Sequence, residues 1–433
     1  MTYDEALTYL DSLNKFGIRL GLERIKRLLE LMGNPERSYK TIHVTGTNGK
    51  GSTTAMLAAI LHRSGIRAGM YTSPHLIDYT ERICINTEDI RQAAFARAIE
   101  TTRYFVDQLI AEGGESPTQF EVLTAAAFHY FATAEVEYAV IEVGLGGLLD
   151  STNVIIPEVA VITNVAMEHA DRCGGTLLSV AEHKAGIIKP KIPVVTAVSP
   201  EVFPVVEAKA DQAGASLFLL GRDFTCHSDG VADHQQIITF QSALFGQVGP
   251  TPVNLLGSHQ VSNSALAIMA ALLLSRNEAR ITHASIQAGL GSVVWPGRFE
   301  VIPGKPLIVI DGAHNPAGAE VLRLNLDRAF PEQSIVFLIG ILQDKDIGGI
   351  VSTLIRPYDR VVVTSPDSDR AAQPELVADL IEAEYVESVA TIEDGIAQAI
   401  RLAGPDGIVC VAGSLYLIGY ARHIIYNRQK KYC

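Results

Sequence analysis

One segment constrains the fold of this chain more than any other: Thr41-Ile42-His43-Val44-Thr45-Gly46-Thr47-Asn48-Gly49-Lys50-Gly51-Ser52. An apolar, β-branched run ends in a glycine-rich turn carrying a lysine and a hydroxyl, and a helix-like stretch from Thr53 to Arg63 follows at once. Backbone N–H groups in such a turn point inward, and the helix N-terminus adds partial positive charge, so the loop suits phosphate. Lys50 is placed to reach terminal phosphates, and Ser52 to cap the helix or touch a magnesium ion. The match to G-x-x-x-x-G-K-[ST] is imperfect, because Val44 stands where the first Gly belongs and Gly51 separates Lys50 from Ser52. A strand–helix turn that holds no ligand would share some of these features.

The rest of the chain fits a folded, two-domain protein. Its 433 residues exceed one ordinary core. Hydrophobic residues make up 48% and charged residues 19%, which excludes a disordered chain. No apolar run reaches membrane-span length, and Met1-Thr2-Tyr3-Asp4-Glu5 does not read as a secretory signal. The five cysteines are scattered without a C-x-x-C pair, so a reduced, cytoplasmic protein is expected. A net charge of −13 argues against nucleic acid as a partner. Anionic ligands must then be met by loop amides, single basic residues and metal ions.

Strand-like runs alternating with helical patterns predict parallel sheets with crossover helices. In the first part these runs are Thr41–Val44, Ala68–Tyr71, Tyr138–Ile141, Val159–Thr163 and Val194–Thr196. Short alternating segments from Ser216 to Leu256 predict a small antiparallel sheet attached to that domain, and helical periodicity returns from Gln260 to Leu274. Val294-Trp295-Pro296-Gly297-Arg298 and Pro303-Gly304-Lys305-Pro306 read as a linker. Beyond it, Leu307–Ile310, Ser334–Ile339, Arg360–Thr364 and Gly407–Val411 begin a second βα series. The expected architecture is a P-loop ATPase-like doubly wound domain over residues 1–296, with the small sheet, and a C-terminal Rossmann-like α/β domain over 297–433.

Chemistry-bearing residues gather at strand ends. Glu142 closes a buried run ahead of Gly144, Gly146 and Gly147, where phosphate-binding folds place a metal-coordinating or water-orienting acid. A salt-bridged strand-end Glu is the alternative. His169 also follows a strand and is a candidate beside Glu142, although magnesium prefers oxygen ligands. Lys184 lies on a predicted helix, where a solvated surface lysine is the simpler reading. Asp311-Gly312-Ala313-His314-Asn315-Pro316 opens the second domain, with Pro316 at a helix start. Arg298 in the linker is a candidate to neutralise a transferring phosphoryl group, while ordinary capping remains open for Asp311. Two domains closing over one nucleotide would exclude water from a reactive acyl phosphate.

Five motifs in order resemble the folylpolyglutamate synthase / dihydrofolate synthase family of the Mur ligase superfamily. They are Gly46–Ser52, Thr72-Ser73-Pro74-His75-Leu76, Glu142–Gly147, His183-Lys184-Ala185-Gly186-Ile187-Ile188-Lys189 and Asp311–Pro316. The resemblance implies an ATP-dependent amide ligase: ATP phosphorylates a carboxylate, the amine of L-glutamate attacks, and a tetrahedral intermediate loses phosphate. It implies ATP contacts at Gly49, Lys50, Gly51, Ser52, Asn263, Arg298 and Asp311, with His314 beside them, and magnesium ligands at Ser73, Glu142 and His169. It also implies a carbamate on Lys184, which displaces the surface-lysine reading. Lys50, Lys184, Arg298 and His314 are the expected catalytic set.

Segments holding Gly21, Leu22, Arg24, Thr118, Phe120, Glu121, Leu149, Asp150 and Ser151 align with those that bind dihydropteroate in bifunctional members. Phe120 would stack on a flat pterin or benzoyl ring, or else belong to the core. Leu148 replaces the Arg of a common Gly-Gly-Arg-Leu-Asp motif, and Glu168-His169-Ala170-Asp171 replaces Asp-His-Thr-Glu. These departures bear on substrate preference rather than on ligase chemistry. Expected partners are L-glutamate with dihydropteroate or reduced folates, and the family makes a monomer the default.

Overall fold

The computed structural model describes residues 1–17, 19–167, 174–232, 235–331 and 333–430, with side chains to residue 427. The chain forms two compact units. One comprises Met1–His75, Tyr79–Asn254 and Gln260–Val293; the other comprises Leu76–Asp78, Leu255–His259 and everything from Val294 onward.

The first unit is built on strands β1 (Lys40–Thr45), β2 (Ala68–Tyr71), β3 (Ile83–Ile85), β4 (Glu88–Asp89), β5 (Tyr138–Glu142), β6 (Val159–Ile162), β7 (Val194–Thr196) and β8 (Leu217–Leu219). They form one sheet in the order β4-β3-β2-β5-β1-β6-β7-β8. All neighbours from β2 to β8 run parallel, and the β3–β4 hairpin adds antiparallel pairings at one edge. Register aligns the carboxyl ends: Val44 pairs with Glu142, Tyr71 with Ile141 and Thr45 with Ile162. The loops after β1, β2, β5 and β6 therefore emerge at one sheet edge, where open α/β sheets bind ligands.

Helices Tyr3–Ser12, Gln92–Ala111 and Gln119–Thr133 bury Leu10, Phe95, Ile99, Val122 and Phe128 in one core with Tyr71 and Ile141. Helix Ser258–Leu274 is apolar all round from Ala265 to Leu274, and every one of those residues is buried, as a central helix requires. Strands β9 (Phe224–Ala232), β10 (Gln235–Ser242) and β11 (Gly246–Val253) make the separate antiparallel sheet foreseen between Ser216 and Leu256, but Leu217–Leu219 at the start of that stretch instead joins the large sheet as β8, parallel to β7.

The second unit's sheet contains β12 (Glu300–Ile302), β13 (Leu307–Ile310), β14 (Ile335–Ile339), β15 (Arg360–Val363), β16 (Tyr385–Ser388) and β17 (Ile408–Ala412), in the order β12-β13-β17-β14-β15-β16. Successive residues go to opposite cores, Val309, Phe337 and Val361 to one and Ile308, Leu338 and Val362 to the other. A parallel sheet covered on both faces needs such continuous apolar strands.

Three details depart from the sequence reading. The helix after the phosphate loop starts at Lys50 rather than Thr53, because Gly49 takes the left-handed conformation (φ 83°) at its N-cap. Lys50, Gly51 and Ser52 thus form the first helical turn, whose N–H groups lack intrahelical partners. The stretch read as a linker contains β12, paired antiparallel to β13. The β3–β4 hairpin and β16 were not anticipated; the hairpin turns through Asn86 and Thr87, both at positive φ without a glycine to mark them. Among the described residues, no helix is long and apolar enough to cross a membrane.

Candidate functional site

The phosphate loop is braced by the segment that follows β6. Thr47 N donates to Asn164 O (3.0 Å), Asn48 N to Asn164 Oδ1 (2.9 Å) and Thr163 Oγ1 to Asn48 O (2.6 Å). Lys50 Nζ donates to Gly46 O and Thr47 O, each at 3.0 Å, so its ammonium lies over the loop. Behind the loop, Gln260 Nε2 donates to Ser52 Oγ (3.3 Å), and Asn263 Nδ2 donates to Gln260 Oε1 (2.9 Å). A Cβ on Gly49 would sit 3.0 Å from Asn263 Cγ, so the turn and Asn263 are in close contact. Gly49, Lys50, Gly51, Ser52 and Asn263 are thereby gathered in one place.

Beside it, Glu142 ends β5 and Ser73 follows the adjacent β2; Ser73 N donates to Glu142 Oε2 (3.1 Å). Glu142 is buried. Among the described residues there is no group of three His, Cys, Asp or Glu side chains arranged for a metal. His169 and its neighbours Glu168 and Asp171 lie outside the described residues. Lys184, on helix Leu177–Ala185, is buried at 5% exposure, so the solvated-surface placement does not hold. The same helix meets the loop after β5, where Leu148 N donates to His183 O (2.7 Å).

The aligned pteroate segments also meet that loop. Phe120 lies against Gly144, whose Cβ would come within 2.5 Å of Phe120 Cζ, and its ring centroid is 6.2 Å from that of Tyr71. Thr118 and Glu121 form a capping box for helix Gln119–Thr133, with Thr118 N donating to Glu121 Oε2 (2.7 Å) and Glu121 N to Thr118 Oγ1 (3.3 Å). Arg24 Nε donates to the same Glu121 Oε2 (3.1 Å), while Glu121 Oε1 is buried with no hydrogen-bond partner among the described residues. Gly21 N reaches Leu149 O at 3.5 Å, and Leu22 N donates to Glu23 Oε2. Asp150 and Ser151 are buried, whereas Leu148 and Leu149 are exposed. Burial pushes the Asp150 carboxyl above its ordinary range, against the pull of Thr152 and backbone donors.

In the second unit, Asp311 follows β13. Its Oδ2 accepts from Phe299 N and its Oδ1 from Ala313 N, both at 2.8 Å. Helix Pro316–Ala329 is capped instead by Asn315, whose side chain accepts from Gly318 N (2.7 Å). Arg298 Nη1 would be 2.6 Å from a Cβ on Gly312, and His314 Nδ1 is 2.7 Å from Gly312 O. Arg298, Asp311 and His314 therefore form one cluster. Burial raises the Asp311 carboxyl, while Arg298 and the two backbone donors oppose the rise. His259 is pushed down to about 4 by burial and then by Arg298, and Asn325 Nδ2 is 3.2 Å from its Nδ1.

Gln260, His259, His43 and Thr152 were not singled out from sequence. His43 carried the one available signal, a histidine in the middle of a buried run.

Two family models match the chain: the Mur ligase middle domain over residues 44–271 and the Mur ligase glutamate ligase domain over 297–415. Folylpolyglutamate synthase of Lacticaseibacillus casei is 37% identical, covering 98% of this chain and 99% of that protein. Dihydrofolate synthase/folylpolyglutamate synthase of Bacillus subtilis is 33% identical over 97% and 98% of the two chains. Among solved structures, Mycobacterium tuberculosis folylpolyglutamate synthase complexed with ADP superposes with a TM-score of 0.90 at 33% identity, covering 98% of each chain. E. coli FolC in complex with DHPP and ADP superposes with a TM-score of 0.89 at 29% identity, covering 99% of each. The motifs, both domain matches and the full-length relatives agree, and this chain belongs to the folylpolyglutamate synthase/dihydrofolate synthase family of ATP-dependent Mur ligases.

Proposed function

We propose that the protein joins L-glutamate to dihydropteroate and to reduced folates, using ATP to activate the acceptor carboxyl as an acyl phosphate. The observation that carries this reading is the convergence on the loop after β5. Glu142 lies at its start, Phe120 packs on Gly144, and the Lys184 helix is bonded to Leu148. The orphaned, buried Glu121 Oε1 supports a pteroyl ligand, since a pterin ring presents N–H donors that a fixed carboxylate oxygen would accept.

In this reading the amides of Lys50, Gly51 and Ser52 hold phosphate oxygens, and Lys50 Nζ exchanges its two carbonyl partners for them. Asn263, Arg298 and Asp311 supply further nucleotide contacts, with His314 beside them. Charge on the transferring phosphoryl group is met by Lys50. Phe120 and Glu121 orient the acid, Arg24 holds Glu121, and Gly21, Leu22, Thr118, Leu149 and Ser151 shape the pteroyl site. The glutamate amine attacks the acyl carbon, and the C–O bond to phosphate breaks as the amide forms.

Ser73 and Glu142 fit a hard divalent cation: two residues with oxygen-bearing side chains at adjacent strand ends, joined by the hydrogen bond from the Ser73 backbone N–H to Glu142 Oε2. Magnesium bound there would neutralise phosphate charge. Burial of Lys184 supports its carriage as a carbamate, since a neighbourless surface lysine would gain nothing from the modification. Product analysis by mass, with dihydropteroate and tetrahydrofolate offered separately alongside ATP, magnesium and glutamate, tests the proposal. Glutamylated product from both supports dual activity; product from the folate alone restricts it to chain extension; no product from either refutes it.

A further inference from the structure

A central strand buried on both faces is expected to be apolar, yet β1 places Thr41, His43 and Thr45 on one face, all buried. Each holds the segment that follows β5. Thr45 Oγ1 donates to Gly146 O (2.7 Å), His43 Nε2 lies 2.8 Å from Thr152 Oγ1, and Thr41 Oγ1 donates to Ile156 O (3.4 Å). Asp150 stands at the centre. Its Oδ2 accepts from Leu145 N (2.8 Å), and its Oδ1 accepts from Thr152 N (3.0 Å) and from Thr152 Oγ1 (2.5 Å).

The proton positions follow from this count. Thr152 has one hydroxyl hydrogen, and it goes to Asp150, so the ring N–H of His43 Nε2 donates to Thr152. His43 Nδ1 is buried with no partner among the described residues, as the neutral Nε2–H tautomer leaves it. Burial, aided by Lys189, holds this imidazole down to about 3, so it stays neutral in ordinary conditions. Three donors, Leu145 N, Thr152 N and Thr152 Oγ1, converge on Asp150, which makes it a clasp on this loop.

We propose that His43 and Thr152 are positioning residues that lock the Val143–Ser151 loop, through Asp150, in the shape that receives the pteroyl acid. The inference rests on the pteroyl reading above and names residues that set the affinity for that acid. The loop backs Phe120 at Gly144, bonds the Lys184 helix through Leu148 N and accepts from Gly21 N at Leu149 O. A slip of the loop therefore disturbs the acid site, while the phosphate loop keeps its separate bracing from Thr163 and Asn164.

Thr152→Val keeps the shape and removes both hydroxyl bonds, and His43→Leu removes only the relay's far end. Loss of one buried hydrogen bond in His43→Leu predicts KM for dihydropteroate or tetrahydrofolate raised about tenfold, and Thr152→Val, which loses two, raises it at least as much, with KM for ATP within about twofold in both. Thr152→Ser and His43→Gln, which retain the donors, restore the parent values. Amide hydrogen exchange without substrate gives a second readout, expected to quicken at residues 144–149 while β1 and the phosphate loop stay protected. Unchanged pteroyl KM with unchanged loop exchange overturns the inference. So does a parallel rise of both KM values with faster exchange across the whole unit, which marks a general structural role. If the parent enzyme ligates neither pteroyl acid, the substrate reading fails, and exchange in His43→Leu still decides whether the clasp exists.

Discussion

Replacing Gln260 with methionine tests how the phosphate loop is held from behind. Methionine is close in length but offers neither the donor to Ser52 Oγ nor the acceptor for Asn263 Nδ2. Gln260 is 1% exposed and Asn263 4%, so water does not readily replace the lost partners. A buried amide donor left without an acceptor costs about 1–3 kcal/mol, and the longer bond to Ser52 adds about 0.5–1 kcal/mol. Unfolding free energy should fall by roughly 1.5–4 kcal/mol. Nucleotide affinity should fall as well, because Ser52 and Asn263 lose the contacts that fix their orientation. A loss of about 1.4 kcal/mol in binding is a tenfold weaker Kd for ADP. Titration calorimetry with ADP, with and without magnesium, measures that Kd, and urea unfolding followed by circular dichroism measures the stability. Gln260→Glu should weaken binding further, since its second oxygen accepts from Ser52 and adds negative charge near the phosphates. If Gln260→Met lowers stability as expected but leaves the ADP Kd within about twofold, the reasoning is wrong and Gln260 stabilises the fold without tuning the phosphate loop.

Glu121→Gln turns the orphaned acceptor into an N–H donor if its oxygen keeps the Thr118 bond, so KM for dihydropteroate should rise about tenfold with KM for ATP unchanged in steady-state assays. Lys184→Ala should abolish turnover while leaving the circular dichroism spectrum intact, with partial rescue by short carboxylates; full activity in that variant would remove the carbamate role. His259 is held at about 4, below its unfolded value of 6.5, so the unfolded state binds the extra proton and stability falls as the pH drops through that window. Lowering the pH to about 5 should cost ~2 kcal/mol at this residue, and His259→Asn should lose less on urea unfolding at the two pH values. Asp311 has the opposite sign: its raised folded-state value means that stability falls as pH rises through the window above 3.8, and Asp311→Asn should flatten that segment of the profile.

The legible parts of this molecule were contiguous ones. β1, the glycine turn and the following helix occupy one unbroken stretch, and their order alone implies a phosphate site. The apolar strands of the second unit were equally readable, because burial on both faces leaves no ambiguity of period. Lys184 was misleading from its helix position alone, since nothing local marks which face of a short helix is covered; only the motif around it corrected the reading. Gln260 and Thr152 were not legible, because their partners lie 208 and 109 residues away. Edge strand β16 and the β3–β4 hairpin escaped because short edge strands carry little hydrophobic signal and the hairpin turn uses Asn86-Thr87 rather than glycine.

The second unit is assembled from three stretches of chain, and this governs the order in which it can mature during synthesis. A Cβ on Gly297 would lie 2.7 Å from Ile418 Cδ1 and 3.4 Å from Leu76, and Ser258 N donates to Asn325 Oδ1 (3.0 Å). Leu76–Asp78 and Leu255–His259 thus leave the ribosome long before the helices they pack against exist. Contacts of such long sequence separation form slowly. The nascent protein must carry Leu255–His259 until helix Pro316–Ala329 emerges and Leu76–Asp78 until helix Leu415–Lys430 does, and a fragment cut near residue 297 would start life without them.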